Sequence, residues 1–268
     1  MGMRSVRMWA SLVGLSIIAV VILDFADRLF PGDSFDGTGS YIVLGLIAFG
    51  FMRWLRVSTN AYFAKPVLGW RFIVVLILCG NLIVVQLRGE PFHNLSVGHW
   101  IRGIVFLLAV GATEEILSRG VVFGVLRIHG LPIAVTGSSL MFGLMHINPH
   151  IGAWDPWAVY FHVLTAFSFG LFACAIMVVS RSIWVPILMH AISDAGLLFE
   201  APPTKAESAY RISIGFWRGV LHPIPDFLTF VIPALILLWI HAGTPVPNFV
   251  KRLAIKWKLV EPETQIEV

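Results

Sequence analysis

Apolar runs that reach or approach the length needed to cross a bilayer recur along the whole chain. A membrane-spanning helix needs about 20 mostly apolar residues, within a range of about 17 to 25. Eight such runs occur, at 7–23, 40–55, 70–87, 100–126, 133–147, 157–179, 183–199 and 224–241. Only 13% of the 268 residues are charged, whereas an average soluble domain carries about 25%. The sequence therefore predicts an all-α, polytopic membrane helix bundle with about eight transmembrane helices.

The chain is predicted to form a single membrane domain over residues 1–268, since no internal repeat, low-complexity tract or long linker divides it. Residues 1–99 hold spans one to three, 100–199 hold spans four to seven, and 200–268 hold an outer loop, the last span and a basic tail. The first run lacks the small-residue cleavage site of a signal peptide and is interpreted as a retained span. The tail has apolar residues at helical spacing among its cations, which predicts an amphipathic helix on the lipids of the inner leaflet.

The distribution of Lys and Arg predicts the orientation of the bundle, because cytoplasmic loops carry an excess of positive charge. With the N-terminus in the cytoplasm, twelve of these residues fall inside and six outside. Inside are Arg4, Arg7, Arg53, Arg56, Lys65, Arg71, Arg127, Arg181, Lys251, Arg252, Lys256 and Lys258; outside are Arg28, Arg88, Arg102, Lys205, Arg211 and Arg218. Both termini are therefore predicted to be cytoplasmic, in a multi-pass protein of the cell membrane, with a bacterial inner membrane favoured.

Ionisable side chains are scarce inside the predicted spans, and their positions mark a candidate site. A charge at the centre of a spanning helix costs about 2.5–3.5 kcal/mol on insertion scales, so such residues are functional candidates by default. They are Glu114, Glu115 and Arg119 in span four, His146 in span five, His162 in span six, and His190 and Asp194 in span seven. At about 1.5 Å per residue, the depths from the cytoplasmic end are roughly 18 Å for Glu114, 20 Å for His146, 11 Å for His190 and 17 Å for Asp194. Three helices thus place polar groups in one layer.

The spacing within each span indicates how these residues would divide their roles. Glu115 and Arg119 are four residues apart, so they share a helical face and can form an ion pair. Glu114 is turned by about 100° around the helix axis from its neighbour and can point into a cavity. His190 and Asp194 are also four residues apart and present a pair of donors along one face.

The residue types in this set limit the reactions that the site could catalyse. Neither the H-E-x-x-H motif of zincin proteases nor the G-x-S-x-G motif of α/β-hydrolases occurs. A carboxylate with histidines and a second acid fits acyl hydrolysis by water, with Glu114 as the base and imidazole and carboxyl donors at the oxyanion. Glu114, His146 and His190 could equally hold a divalent metal ion, of which zinc is favoured. The residues alone leave both mechanisms open. His162 is interpreted as a packed or hydrogen-bonded helix residue.

Three motifs occur in a fixed order: E-E-x-x-x-R (EEILSR, 114–119), F-x-x-x-H (FGLMH, 142–146) and H-x-x-x-D (HAISD, 190–194). Together they resemble the signature motifs of the CPBP family, the CAAX-protease and bacteriocin-processing membrane proteins that are also called Abi proteins. The resemblance covers roughly residues 100–199. It implies a helical membrane endopeptidase whose cavity opens to the cytoplasm. Eukaryotic members of the family remove the C-terminal tripeptide from prenylated CAAX proteins.

The resemblance also implies a role for each motif residue. Glu114 would activate the water with the assistance of His146, His190 and Asp194 would stabilise the oxyanion, and the Glu115–Arg119 pair would support the site. The family has been described both as metal-dependent and as metal-free, so either no cofactor or a divalent metal is implied. CAAX-processing members carry Asn where this chain has Asp194, which must be protonated to donate as Asn does. That departure favours a peptide substrate other than a CAAX protein.

Two other classes of function fit parts of this pattern. A non-catalytic scaffold or immunity protein would use the fold to bind peptides or lipidated partners. A transporter would use Glu114, Glu115 and Asp194 to relay protons or cations, although no inverted repeat supports transport. A degenerate enzyme would be expected to have lost Glu114 or a histidine. The sequence therefore favours an endopeptidase acting on a peptide or protein substrate, lipidated or not, with membrane lipids but no nucleic acid as further partners.

Overall fold

The computed structural model describes residues 37–86, 96–147, 156–198 and 223–242 of the chain, and these ranges contain helices and no β-strand. The all-α class predicted from the sequence is therefore confirmed. The first predicted span, the outer loop and the basic tail lie outside the described residues.

Seven of the eight predicted spans fall within the described ranges, apart from the last residue of 70–87 and of 183–199, and each corresponds to a helix. The helices are α1 (Thr38–Trp54), α2 (Thr59–Tyr62), α3 (Trp70–Gln86), α4 (Val97–Glu115), α5 (Phe123–Leu126), α6 (Leu131–Met145), α7 (Pro156–Ser180), α8 (Trp184–Ser193) and α9 (Pro223–His241). Span four is continuous from α4 to α5 through a π-helical segment, Ile116–Val122. Span seven continues from α8 into a 3₁₀ turn, Asp194–Leu198.

Two of these helices contain windows that are long and apolar enough to cross a membrane, Val159–Ser180 in α7 and Ile224–His241 in α9. They differ in burial: 67% of the window in α7 is buried inside the bundle, but only 22% of the window in α9 is. Large apolar side chains such as Leu235 and Trp239 point outward from α9, as expected of a helix that faces lipid. The other apolar helices are shorter, so the full number of spans stays a prediction.

Helix α7 forms the centre of the bundle, where it packs most extensively against α9 and α6, while α4 packs against α1 and α8. Small residues allow these helices to approach closely. A Cβ atom added at Gly111 of α4 would lie 2.9 Å from the Ile187 carbonyl oxygen of α8, and one added at Gly143 of α6 would lie 2.9 Å from the Val163 carbonyl oxygen of α7. Only glycine fits at such distances. These two contacts bring together the four helices that carry the candidate site.

The π-helical segment follows the two glutamates directly and includes Arg119. A π-helix contains more residues per turn than an α-helix and occurs mostly as a short insertion within one, frequently at a functional site. Because of this segment, the side chains after Glu115 point in directions, around the helix axis, that differ from those in a regular α-helix. Hydrophobic periodicity carries no signal for such a segment, and the sequence did not predict it.

Candidate active site

A cavity of about 490 Å³ lies between the helices of the central bundle. Four of the residues that the sequence places at one depth line it: Glu114, His146, His190 and Asp194. The remaining lining residues are Phe142, His162, Thr165, Ala166, Phe169, Ser193, Gly196, Leu197 and Phe230. The structure therefore brings the four predicted catalytic residues into one space, with three aromatic side chains in its walls.

Glu114 lies between the two histidines. Its Oε2 atom is 3.7 Å from Nε2 of His190 and 3.9 Å from Nε2 of His146. This oxygen is buried and has no hydrogen-bond partner. An unpaired buried carboxylate oxygen is costly, so its position directly in front of two imidazole nitrogens indicates a place prepared for a bound group.

Hydrogen bonds on the far side of each ring determine where the imidazole protons lie. Nδ1 of His146 is 2.8 Å from the Phe142 carbonyl oxygen, and Nδ1 of His190 is 2.9 Å from Oε1 of Glu115. Both partners only accept hydrogen bonds, so each Nδ1 carries a proton and donates it. In the neutral form of each ring, Nε2 then presents a lone pair toward Glu114.

When both rings are neutral, three acceptor atoms face one small space: two imidazole lone pairs and a carboxylate oxygen. A donor or a cation between them would satisfy these acceptors. One water oxygen can lie at a normal hydrogen-bond distance of about 2.7–3.2 Å from Oε2 of Glu114 and from either Nε2 atom, because these pairs of atoms are 3.7 Å and 3.9 Å apart.

A divalent metal ion is the second group that this donor set suits, because zinc binds imidazole nitrogen and carboxylate oxygen. Glu114, His146 and His190 would hold it, and the contacts at the two Nδ1 atoms are of the kind that orients metal-binding histidines. In the described part of the chain, no three His, Cys, Asp or Glu side chains are already gathered as a metal centre requires. Drawing these three ligands around an ion would shorten the present separations of 3.7 Å and 3.9 Å.

Asp194 lies beside the histidine pair at the point where α8 ends. Its Oδ2 atom is 3.4 Å from Nε2 of His190, and 32% of its side chain is exposed. The hydroxyl of Ser193 lies 3.3 Å from Oδ1 of Asp194 and donates a 2.8 Å hydrogen bond to the His190 carbonyl oxygen. The change from α-helix to 3₁₀ turn at Asp194 directs this carboxyl into the cavity.

Glu115 and Arg119 are both fully buried and lie behind the cavity wall. Oε1 of Glu115 is 3.1 Å from the guanidinium of Arg119, which confirms the predicted pair across one helical turn. Arg119 also donates a 3.1 Å hydrogen bond to the Gly170 carbonyl oxygen and lies 4.5 Å from the centre of the Phe142 ring. Because the same Glu115 oxygen accepts from His190, the pair fixes the orientation of that imidazole.

Three polar residues of the cavity are not among the predicted site residues: His162, Thr165 and Ser193. The sequence predicts His162 as a packed or hydrogen-bonded helix residue; its ring also lines the cavity, with its centroid 5.2 Å from that of His146. The depth comparison had used the cytoplasmic ends of the spans. His146 lies at the C-terminal end of α6 and His162 near the N-terminal end of α7, so a depth counted from the other ends of the spans pairs them.

The cavity occupies one end of the bundle. Most of its lining comes from the C-terminal parts of α6 and α8, the 3₁₀ turn after α8 and the N-terminal parts of α7 and α9, and α4 adds Glu114. Arg127 and Arg181 lie at the opposite ends of these helices, before α6 and between α7 and α8, and Lys65 lines a second cavity together with them. The cavity and the cationic end of the bundle are thus on different sides.

Residues 96–196 match the family model described as "Type II CAAX prenyl endopeptidase Rce1-like". This segment contains every residue of the three motifs, including the two histidines on either side of Glu114. The match, over less than half of the chain, confirms the resemblance inferred from the motifs: the segment that carries them is similar to the CAAX-protease (CPBP) family. A CAAX-protease-like membrane peptidase is therefore the class that the match supports. No curated protein and no solved structure matches the chain.

Proposed function

We propose that this protein is an intramembrane endopeptidase in which Glu114 activates a water molecule for attack on a peptide bond. The observation that carries this proposal is the unpartnered Oε2 atom of Glu114, which faces the two histidine Nε2 atoms inside a cavity. A water held there would donate one hydrogen bond to Glu114 and one to an imidazole. Its oxygen lone pair would then remain free for the carbonyl carbon of the substrate.

In the first step, the water oxygen forms a bond to the carbonyl carbon while its proton moves to Glu114. The former carbonyl oxygen becomes an oxyanion and needs donors. His190 supplies one when it carries a second proton at Nε2, with the Glu115 carboxylate against its Nδ1–H and the Asp194 carboxyl 3.4 Å from that Nε2 atom. Donors placed in advance around developing charge are the largest single contribution in many hydrolases.

In the second step, the C–N bond of the substrate breaks and the proton on Glu114 passes to the leaving amine. The carboxylic product then gives its remaining proton to the released amine, so that a carboxylate and an ammonium group leave, and a new water restores the site. His146, fixed by the Phe142 carbonyl oxygen, keeps its lone pair toward the water throughout. A divalent metal held by Glu114, His146 and His190 would supply Lewis-acid polarisation of the same carbonyl.

The walls of the cavity favour a substrate with an apolar side chain or lipid group beside the scissile bond. Phe142, Phe169 and Phe230 form much of the lining, and the cavity volume of about 490 Å³ suits a short peptide segment. Asp194 stands where CAAX-processing members carry Asn, which supports a peptide other than a prenylated CAAX terminus. The sorting of Lys and Arg supports a multi-pass membrane protein with both termini in the cytoplasm, a pattern that suits a bacterial inner membrane and also the endoplasmic reticulum.

The test is peptide cleavage by the purified full chain in detergent. A quenched-fluorescence peptide library with farnesylated and unmodified members would be incubated with the wild type and with Glu114→Ala, each with and without phenanthroline. We expect the wild type to cleave a subset of peptides and Glu114→Ala to cleave none. Loss of wild-type cleavage with the chelator would assign a metal mechanism. Equal binding of peptides to both forms without cleavage would overturn the proposal and support a scaffold.

A further inference from the structure

A second cavity lies at the other end of the bundle, away from the candidate active site. Its volume is about 540 Å³, and the segment before α3, the junction of α5 and α6, the turn between α7 and α8, and the end of α9 form its walls. None of the residues assigned to peptide hydrolysis lines it.

Three cations from three separate segments face this cavity: Lys65, Arg127 and Arg181. All three are exposed, so they stand at its rim. Among the described residues that line the cavity there is no Asp or Glu. The rim therefore carries a concentrated positive charge that no acidic side chain of the lining offsets.

The interior of the cavity is largely apolar. Val67, Phe123, Leu131, Met177 and Val178 form its walls. A free inorganic anion would gain nothing from these side chains, whereas an amphiphile with an anionic head and a hydrocarbon chain would contact both the rim and the walls.

Hydrogen bonds hold the segments of the rim in place. The Ser182 hydroxyl donates to the Ala64 carbonyl oxygen at 2.7 Å, and the backbone N–H of Ile183 donates to the Tyr62 carbonyl oxygen at 2.8 Å. The N–H of Val67 donates to the Ser180 carbonyl oxygen at 2.9 Å. These bonds keep the loop that carries Lys65 against the turn that carries Arg181.

Tyr62 adds a neutral donor to the same cavity. Burial raises the pKa of its hydroxyl to about 12, although the nearby Arg127 guanidinium opposes this shift. Because the pKa is far above neutrality, the hydroxyl keeps its proton and can donate a hydrogen bond to an anion.

We propose that this cavity binds an anionic phospholipid, with the headgroup phosphate between Lys65, Arg127 and Arg181 and an acyl chain against the apolar walls. Basic pockets between helices on the cytoplasmic side of membrane proteins bind such headgroups. The cavity lies at the end of the bundle that the positive charges place on that side, where anionic lipids are available. This proposal is independent of the peptidase reaction.

The chain contains a matched pair of arginines for the test. Arg181 and Arg56 both follow the end of a helix in a left-handed conformation, with φ of 55° and 58°. Both lie at the cationic end, but only Arg181 lines the large cavity, and Arg56 lines a separate small one. A substitution to Gln at either position removes one positive charge from the cationic end of the bundle. The two positions also have the same left-handed backbone conformation, so they form a matched pair.

The measurement is native mass spectrometry and thermal unfolding of the delipidated full chain in neutral detergent. Phosphatidylglycerol, phosphatidylcholine and inorganic phosphate would each be titrated into the wild type, Arg181→Gln, Arg56→Gln and the triple Gln variant at Lys65, Arg127 and Arg181. We expect the wild type and Arg56→Gln to bind phosphatidylglycerol at least ten times more tightly than phosphatidylcholine. Arg181→Gln should weaken phosphatidylglycerol binding several-fold, and the triple variant at least tenfold.

Equal loss in Arg56→Gln and Arg181→Gln would overturn the proposal, because it would reflect the charge of the whole bundle end. Stabilisation by inorganic phosphate as large as that by phosphatidylglycerol would overturn the lipid assignment in favour of a free anion. If the triple variant does not fold, the comparison of Arg181→Gln with Arg56→Gln decides the question alone.

Discussion

The buried pair formed by Glu115 and Arg119 makes a quantitative prediction about stability. Both side chains are fully buried, and their charged atoms are 3.1 Å apart. Removing one partner of a buried pair typically costs about 3–5 kcal/mol, because the other charge remains without compensation. The structure allows this range to be divided between the two possible single substitutions.

Glu115→Gln should fall at the lower end, at about 3 kcal/mol. The Gln side-chain oxygen can still accept a hydrogen bond from His190. Arg119 keeps its hydrogen bond to the Gly170 carbonyl oxygen and its contact with the face of the Phe142 ring. Such a cation–π contact is worth up to about 2 kcal/mol when desolvated. Arg119→Met should cost more, at about 4–5 kcal/mol. Glu115 would then keep its charge with His190 as its only close partner, since its Oε2 atom has no partner already.

The double variant should be less destabilised than the sum of the two single variants, with a coupling free energy of about 2–3 kcal/mol, the upper part of the range for residues in contact. Equilibrium unfolding in detergent, followed by the fluorescence of the ten tryptophans, would supply all four stabilities. Arg56→Met, at an exposed position, is the control and should change stability by less than about 0.5 kcal/mol. Single losses below about 1 kcal/mol, or additivity within about 0.5 kcal/mol, would refute the assignment of this pair as a coupled support of the site.

Three further predictions concern packing, the cavity and its sidedness. Gly111→Ala should lower both stability and peptidase activity, because its Cβ would press on a carbonyl oxygen of α8. The control Gly39→Ala has open space around it and should change neither the free energy of unfolding nor the cleavage rate. His162→Ala should lower kcat several-fold and shift its pH profile, whereas a residue that only packs would change stability alone; the pH dependence of peptide cleavage separates the two. The sidedness test uses a variant in which both native cysteines are replaced. A membrane-impermeant thiol reagent added to intact cells should label Leu197→Cys and not Lys65→Cys, since Lys65 lies at the cationic end. The reverse labelling would place the cavity on the cytoplasmic side, as the family resemblance implies.

Most of the described fold was predictable because the apolar runs are long and end clearly. The helix α7, for example, occupies Pro156–Ser180, where the predicted span was 157–179. Span seven was less regular than its apolar run suggested, because α8 ends at Ser193 and the chain tightens into a 3₁₀ turn. The hydropathy pattern responds to burial in lipid and not to this local change of hydrogen bonding.

The residues that meet in the cavity were predictable from depth and spacing, but their contacts were not. The shared depth of Glu114 and His146 places them in one layer, yet it does not show that the Phe142 carbonyl oxygen fixes the imidazole proton. Similarly, the spacing of Glu115 and Arg119 predicts their pair but not the additional contact to His190 from another helix. Such contacts depend on helix rotation, which the π-helical segment alters and which a single sequence does not encode in its apolar pattern.

The central claim is that Glu114 acts as the base in hydrolysis of a bound peptide. The most direct test measures the catalytic rate separately from the binding affinity. For a peptide that the wild type cleaves, kcat and Kd would be compared with those of Glu114→Gln, which keeps the size of the side chain but cannot act as a base. The account predicts a loss in kcat of about 10²–10⁴-fold, the usual contribution of general base catalysis, with Kd changed by no more than a few fold. Cleavage by a folded Glu114→Gln variant at nearly the wild-type rate would contradict the claim.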